Sequence, residues 1–152
     1  MKEAIGIELT IEELQLSDGT IELGPLRADL LPDYVRWQND PVVMRGQGRV
    51  EPETVEGRAE GLKAQLAGVN AHFTVYDLTD GAPRPIGTTS LLIDHPVKAA
   101  EFVIALGPEG RGRHLAARIT RLALRYGFEV AGLRNIMLHV MAPNTAAIRA
   151  YH

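Results

Sequence analysis

The sequence contains no cysteine. That absence removes disulfides, thiolate zinc sites, iron–sulfur ligation and a cysteine nucleophile, and it leads us to expect a chain working in the reducing cytoplasm. Positive charge is not in excess: 16 Lys and Arg stand against 19 Asp and Glu, a formal net charge of -3. Such a chain offers no general field to a phosphate backbone, and no nucleic-acid partner is expected. No apolar run approaches the roughly 20 residues of a bilayer span, and Met1-Lys2-Glu3 does not open a secretion signal. No membrane partner is expected either. The histidines at positions 72, 95, 114, 139 and 152 lack close ligand spacing, so no metal is expected. No serine lies in a G-x-S-x-G turn, which leaves covalent serine catalysis without support.

What remains is an ordinary globular composition, 152 residues with 45% hydrophobic and 23% charged side chains, enough for one domain with one core. Ile11 to Leu16 and Thr20 to Leu23 read as two strands around the turn residues Ser17-Asp18-Gly19. Leu30, Leu31, Tyr34, Val35 and Trp37 follow helical spacing within Arg27 to Gln38, and Pro41 stops that run. Tyr34 and Trp37 are better read as buried core than as a wall for a ligand. Met44 to Pro52, with Gly46, Gly48 and Pro52, reads as a loop. Glu53 to Ala67 reads as a polar helix with little apolar surface; Glu51, Glu53, Glu56 and Glu60 are taken as its solvated face.

From His72 onward the pattern is β-type: His72 to Leu78, Pro85 to Ile93 and Ala99 to Leu106, broken by Asp80-Gly81-Ala82-Pro83 and Asp94-His95-Pro96, predict an antiparallel meander. Leu115, Ile119, Leu122, Tyr126 and Val130 then recur at helical spacing, with Arg118, Arg121 and Arg125 on another face. Gly132 ends that helix, and Asn135 to Val140 returns as a strand. A strand–helix–strand unit of this kind predicts parallel pairing with a right-handed crossover. Asn144 can cap a last helix, Thr145 to Tyr151. The fold class is α+β: a mixed central sheet, antiparallel meander plus parallel unit, flanked by helices.

The loop between the third meander strand and the amphipathic helix is Gly107-Pro108-Glu109-Gly110-Arg111-Gly112-Arg113-His114-Leu115-Ala116. Its glycines free the backbone, the helix start carries partial positive charge, and Arg111 and Arg113 add donors, which suits a pyrophosphate. The same residues also fit a plain strand-to-helix connection. Neither the P-loop pattern nor a dinucleotide G-x-G-x-x-G after the first strand is present.

Three motifs in order carry a resemblance to a known family. They are Ala100-Glu101-Phe102-Val103-Ile104-Ala105-Leu106, the run Arg111 to Ala116, and Asn144-Thr145-Ala146-Ala147-Ile148-Arg149-Ala150-Tyr151. With Ile21 to Arg27 and Trp37-Gln38-Asn39-Asp40-Pro41 upstream, they resemble the acetyl-CoA dependent N-acetyltransferases of the GNAT superfamily, especially the ribosomal-protein N-terminal acetyltransferases. Residues 1–152 then read as a single N-acetyltransferase domain. The run Arg111 to Ala116 matches the family's R/Q-x-x-G-x-G/A loop, with His114 at the first glycine and Ala116 an accepted variant at the second. A positive φ at His114 would strain it.

The resemblance implies direct acetyl transfer from acetyl-CoA to a primary amine in a ternary complex, the amine being a protein N-terminus or a small molecule. It places Ala105 and Leu106 beside the thioester and Arg111, Gly112, Arg113, His114, Leu115 and Ala116 around the pyrophosphate. Asn144 falls on the pantetheine arm. It implies Glu101 as general base and Tyr151 as the acid that protonates the departing thiolate. Structural alternatives stand beside these roles: a strand glutamate facing solvent or an arginine, a packing tyrosine, a simple helix cap. The family continues into two further strands that this chain lacks, so the domain is expected to be C-terminally incomplete, with an open sheet edge that favours a homo-oligomer. A catalytically silent acyl-CoA-binding or assembly module is the alternative reading.

Overall fold

A computed structural model of the chain describes residues 16–138. The turn Ser17 to Thr20 forms because the Asp18 carboxylate accepts from the Thr20 and Ile21 amides at 2.9 and 3.0 Å, and Gly19 takes φ +88°. Leu16 and Ser17 belong to the incoming arm; residues 11–15 of the expected first strand lie outside the described residues. The outgoing arm is β1, Ile21–Gly24. A single 3-10 turn at Ala28–Leu30 then leads into α1, Leu31–Gln38, so the expected helix over Arg27 to Gln38 is split at its start. Pro32 permits this because its missing N–H is not needed in a first turn.

The loop expected from Met44 to Pro52 is corrected in part. Pro41–Gln47 forms a second helix, α2, opened by Asp40, whose side chain accepts from the Val42 amide, and closed by Gly48 at φ +70°. Pro41 starts this helix as well as stopping the one before, and Gly48 acts as a left-handed cap. The polar helix α3, Val55–Ala67, starts after Thr54, whose hydroxyl accepts from the Gly57 amide at 2.9 Å. Leu62 is its one buried residue, as its polar sequence leads one to expect.

The meander follows as β2, Ala71–Asp77, β3, Arg84–Asp94, and β4, Ala99–Leu106, all antiparallel, with a bulge where β2 Val75 and Tyr76 face Gly87 and Pro85. Helix α4, Leu115–Arg125, runs on into one π-helical turn, Tyr126–Val130, where an unbroken α-helix was expected. Gly127 lies in that turn, and a Cβ there would stand 2.6 Å from the Ile136 side chain, so the wider turn and the glycine together admit the returning strand. That strand, β5, Asn135–Leu138, pairs parallel with β4, Ala99 opposite Asn135 and Phe102 opposite Leu138. The order β1-β2-β3-β4-β5 realises the expected mixed sheet.

The strand period sorts side chains to two faces. Ile21, Leu23, Phe73, Val75, Leu91 and Phe102 pack on one face against Leu115, Ile119 and Leu122 of α4. On the other, Tyr34, Trp37, Leu26 and Leu62 form a smaller core, and the reading of Tyr34 and Trp37 as buried holds, each being 1% exposed. Tyr34 is fixed by polar bonds as well: its hydroxyl accepts from the Arg27 amide and donates to Thr74, which donates to the Pro25 carbonyl. Apolar burial on both faces thus holds the end of β4 between two helical layers.

Candidate active site

β4 ends at Leu106, and the chain reaches α4 through Gly107, a 3-10 turn at Pro108–Gly110, and the tight segment Arg111 to His114. Gly112 takes φ +76° and His114 takes φ +58°, so two left-handed residues bracket Arg113. Glycine adopts this region freely, whereas a residue with a Cβ does so at a cost. The structure therefore places His114 in the strained conformation that a glycine would take without strain. His114 is the N-cap residue of α4 and makes no side-chain cap bond, and no acidic side chain sits in the first turn. The opening N–H groups of α4, at Leu115, Ala116 and Ala117, have no intrahelical partner and lie at the positive end of the helix dipole. Nothing lies within 4 Å of a Cβ built on Gly112, so the approach is open. Oriented amides, the partial positive charge of the helix start and open space fit an anionic phosphate group.

The two loop arginines are engaged inside the protein. Arg111 donates to the Leu106 carbonyl at 2.9 Å and pairs with Asp40 at 3.1 Å, tying the loop to the N-cap of α2. Arg113 donates to Asp77 Oδ2 at 2.5 Å, a carboxylate that ends β2 and is 1% exposed. Burial alone would raise the Asp77 carboxyl, but the amide and hydroxyl of Thr79 and the guanidinium of Arg113 outweigh it and hold the group far below the usual carboxylate range. Asp40 is likewise lowered: burial opposes, and Arg111 with the Val42 amide prevails. In the described structure both arginines shape the loop through these carboxylates.

A third clamp was not apparent in the sequence. A Cβ on Gly107 would lie 2.2 Å from Trp37, so only glycine lets the end of β4 press on that indole. Glu109 accepts from Trp37 Nε1 at 3.2 Å and from Arg36 at 2.7 Å. Burial opposes the charge on Glu109, while Arg36 and Trp37 favour it, and its pKa is lowered. The signal available in the sequence was the acid in the loop and the Arg36-Trp37 pair; their meeting depends on how α1 crosses the sheet.

On β4 itself, Glu101, Val103 and Ala105 share the face turned toward α1, opposite the α4 core. Glu101 is half-buried and stands between Leu92 of β3 and Met137 of β5, both exposed. Ala105 is buried and Leu106 half-buried. At about 3.3 Å per residue, Glu101 and Ala105 are about 13 Å apart along one face. Leu115 buries its side chain in the core and Ala116 is half-buried. Asn144 and Tyr151 lie outside the described residues. Among the described residues no group of three His, Asp or Glu side chains is placed to hold a metal ion, and no helix is long and apolar enough to cross a membrane.

Comparison with known proteins addresses the same elements. The Acetyltransferase (GNAT) domain matches residues 20–152. The chain belongs to the GNAT acetyltransferase family. This GNAT chain is 42% identical over 59 residues to spermidine N(1)-acetyltransferase of Escherichia coli K12, covering 39% of this chain and 32% of that protein. It is 34% identical over 77 residues to the Vibrio cholerae enzyme of the same name, covering 50% and 44%. The matched stretches thus span a third to under half the length of these curated relatives. In three dimensions it resembles the crystal structure of spermidine N-acetyltransferase from Vibrio cholerae in complex with CoA and spermine. The TM-score is 0.79 at 26% identity, over 88% of this chain and 79% of that one. A dodecameric structure of the Vibrio cholerae enzyme gives a TM-score of 0.68 at 25% identity, over 88% and 77%.

Proposed function

We propose that this GNAT chain transfers the acetyl group of acetyl-CoA to a primary amine of a small aliphatic polyamine, by direct attack in a ternary complex. One observation carries the reading: the unpaired first amides of α4 stand at the carboxyl end of β4, behind a loop clamped by two part-buried ion pairs. An anionic pyrophosphate is the ligand that such a helix start favours. The polyamine acceptor is supported by the relatives, which are named for spermidine acetylation and one of which is described in complex with CoA and spermine. Residues 1–152 are proposed as one acetyltransferase domain, and association into a homo-oligomer is proposed from the described dodecamer of a relative.

Acetyl-CoA supplies an acyl group on a thiol that leaves far more readily than an alkoxide. The amides at Leu115 to Ala117, with Gly112 open beside them, would receive the pyrophosphate, while Arg111 and Arg113 keep that backbone in place and His114 sets the turn. The backbone of Ala105 and Leu106 would line the thioester. Glu101 would take a proton from the ammonium form of the acceptor, directly or through water, so that the free amine attacks the carbonyl carbon. The carbon–sulfur bond then breaks as Tyr151 would give a proton to the thiolate, and the proton still carried by the acetylated nitrogen would pass to the tyrosinate or to water, leaving the neutral amide. Asn144 would bond the pantetheine arm.

The experiment is a release assay for free coenzyme A thiol with spermidine, spermine and a short peptide bearing a free N-terminus. Protein-dependent release with the polyamines, well above that with the peptide, is expected. Release with the peptide alone would move the acceptor to protein N-termini, and no release with any amine would overturn the reading.

A further inference from the structure

Asp77 is a buried charge, and burying a carboxylate is costly unless its oxygens are paired. Its partners are the Thr79 amide at 2.9 Å, the Thr79 hydroxyl at 2.7 Å, Arg84 at 3.5 Å and Arg113 at 2.5 Å. The first three are local to the β2–β3 turn. Arg113 is not: it lies 36 residues on, in the cofactor loop, and makes the shortest of the four contacts. It also sits between the two left-handed residues, Gly112 and His114. Gly112 holds its conformation without steric penalty, but His114 does not, and no side-chain cap at the start of α4 offsets that strain. A left-handed residue with a Cβ persists only where its surroundings over-determine it. The contact placed to do so is the guanidinium of the adjacent residue, anchored on a strand of the main core.

We propose that the Asp77–Arg113 ion pair is a positioning device for the coenzyme A loop: it holds the left-handed turn at His114, which a glycine would hold unaided, and so keeps the first amides of α4 turned toward the pyrophosphate. This rests on the coenzyme A reading of that loop. Asp77 is a positioning residue that acts through Arg113 and touches no substrate. Because strain at His114 is what the pair restrains, removing the strain should remove the need for the pair.

The test compares the chain with Asp77→Asn, Arg113→Gln, His114→Gly and the Asp77→Asn/His114→Gly double variant. Coenzyme A is titrated calorimetrically, and steady-state rates are measured with acetyl-CoA and with acetyl-pantetheine, which lacks the pyrophosphate. Asp77→Asn and Arg113→Gln should each weaken coenzyme A binding about tenfold and raise the acetyl-CoA KM to match, with kcat and the acetyl-pantetheine KM unchanged. The double variant should return to within about twofold of His114→Gly alone. Wild-type affinity in Asp77→Asn, a double variant as weak as Asp77→Asn, or an equal rise in the acetyl-pantetheine KM would each overturn the proposal. Should Asp77→Asn fail to fold, Arg113→Gln and Arg113→Gln/His114→Gly carry the same comparison, since Arg113 is 38% exposed and β2 stays intact. A parent chain that binds no coenzyme A would defeat the underlying reading instead, and it is seen without any variant.

Discussion

His114 stands where the family pattern read from the sequence has a glycine, and among the described residues it is one of two non-glycine residues, with Lys98, in the left-handed region, at φ +58°. Replacing it with valine should destabilise the fold by about 1–2 kcal/mol relative to His114→Gly, because a β-branched side chain in the left-handed region is a steric outlier. Thermal melts of the two variants measure that difference. Glu101 and Tyr151 belong to the same scale. Glu101→Gln and Tyr151→Phe should each lower kcat by about 100-fold or more with coenzyme A affinity retained, the signature of lost proton transfer. Unchanged turnover in both would remove these residues from the mechanism. The sequence motifs made these residues candidates, and the variants above test them. What those motifs did not reveal was that Arg111 and Arg113 would each be met by a carboxylate, since Asp40 and Asp77 are distant in the chain.

At the scale of elements, the junctions carry the argument. α2 went unpredicted because Gly46, Gly48 and Pro52 read as breakers, although Asp40 and Pro41 form a helix start and Gly48 a helix stop. Asp40 both caps α2 and receives Arg111, so Asp40→Ala should cost about 1 kcal/mol for the cap and more for the stranded guanidinium, read as a lower denaturant midpoint. Gly107 joins β4 to the loop before α4 against Trp37, with a would-be Cβ 2.2 Å from the indole. Gly107→Ala should cost about 1–3 kcal/mol through overpacking and shift the fluorescence of Trp37, the one tryptophan. Strands and the amphipathic helix were legible because period 2 and period 3.6 are local properties of the sequence. The π turn at Tyr126–Val130 was not, because it depends on Ile136 arriving against Gly127.

For the whole molecule, the charged contacts set an acid limit. His72 is lowered from its ordinary 6.5 by burial and by the nearby Arg58 charge, so the unfolded chain binds a proton before the folded one does. Stability therefore declines as pH falls below about 6.5. Asp77, Asp40, Asp18 and Glu109 are also lowered in the folded state, where guanidinium and amide bonds outweigh the cost of burial. Their contribution is complete above the ordinary carboxylate values of 3.8 and 4.5, and it is lost as pH falls through the lower folded values. Melting temperature should thus fall in two stages on acidification, and His72→Gln should remove the first stage alone. A single transition confined to the carboxylate range in the parent chain would contradict the assignment to His72.

By itself the sequence determined the α+β class, the meander, the amphipathic α4 and the loop before it, because hydrophobic period, turn residues and a glycine-rich junction act over a few residues. It also determined membership of the GNAT family, whose motifs are contiguous segments, but not the group within it: the relatives found are spermidine N(1)-acetyltransferases, not the ribosomal-protein N-terminal acetyltransferases that the motifs resemble. Tertiary structure decided which charges meet. Arg113 reaches Asp77 across 36 residues, Arg36 and Trp37 reach Glu109 across more than 70, and α1 presses its indole on Gly107 only once the sheet has formed. Such pairs depend on the register and crossing of elements already folded, and no local pattern encodes them.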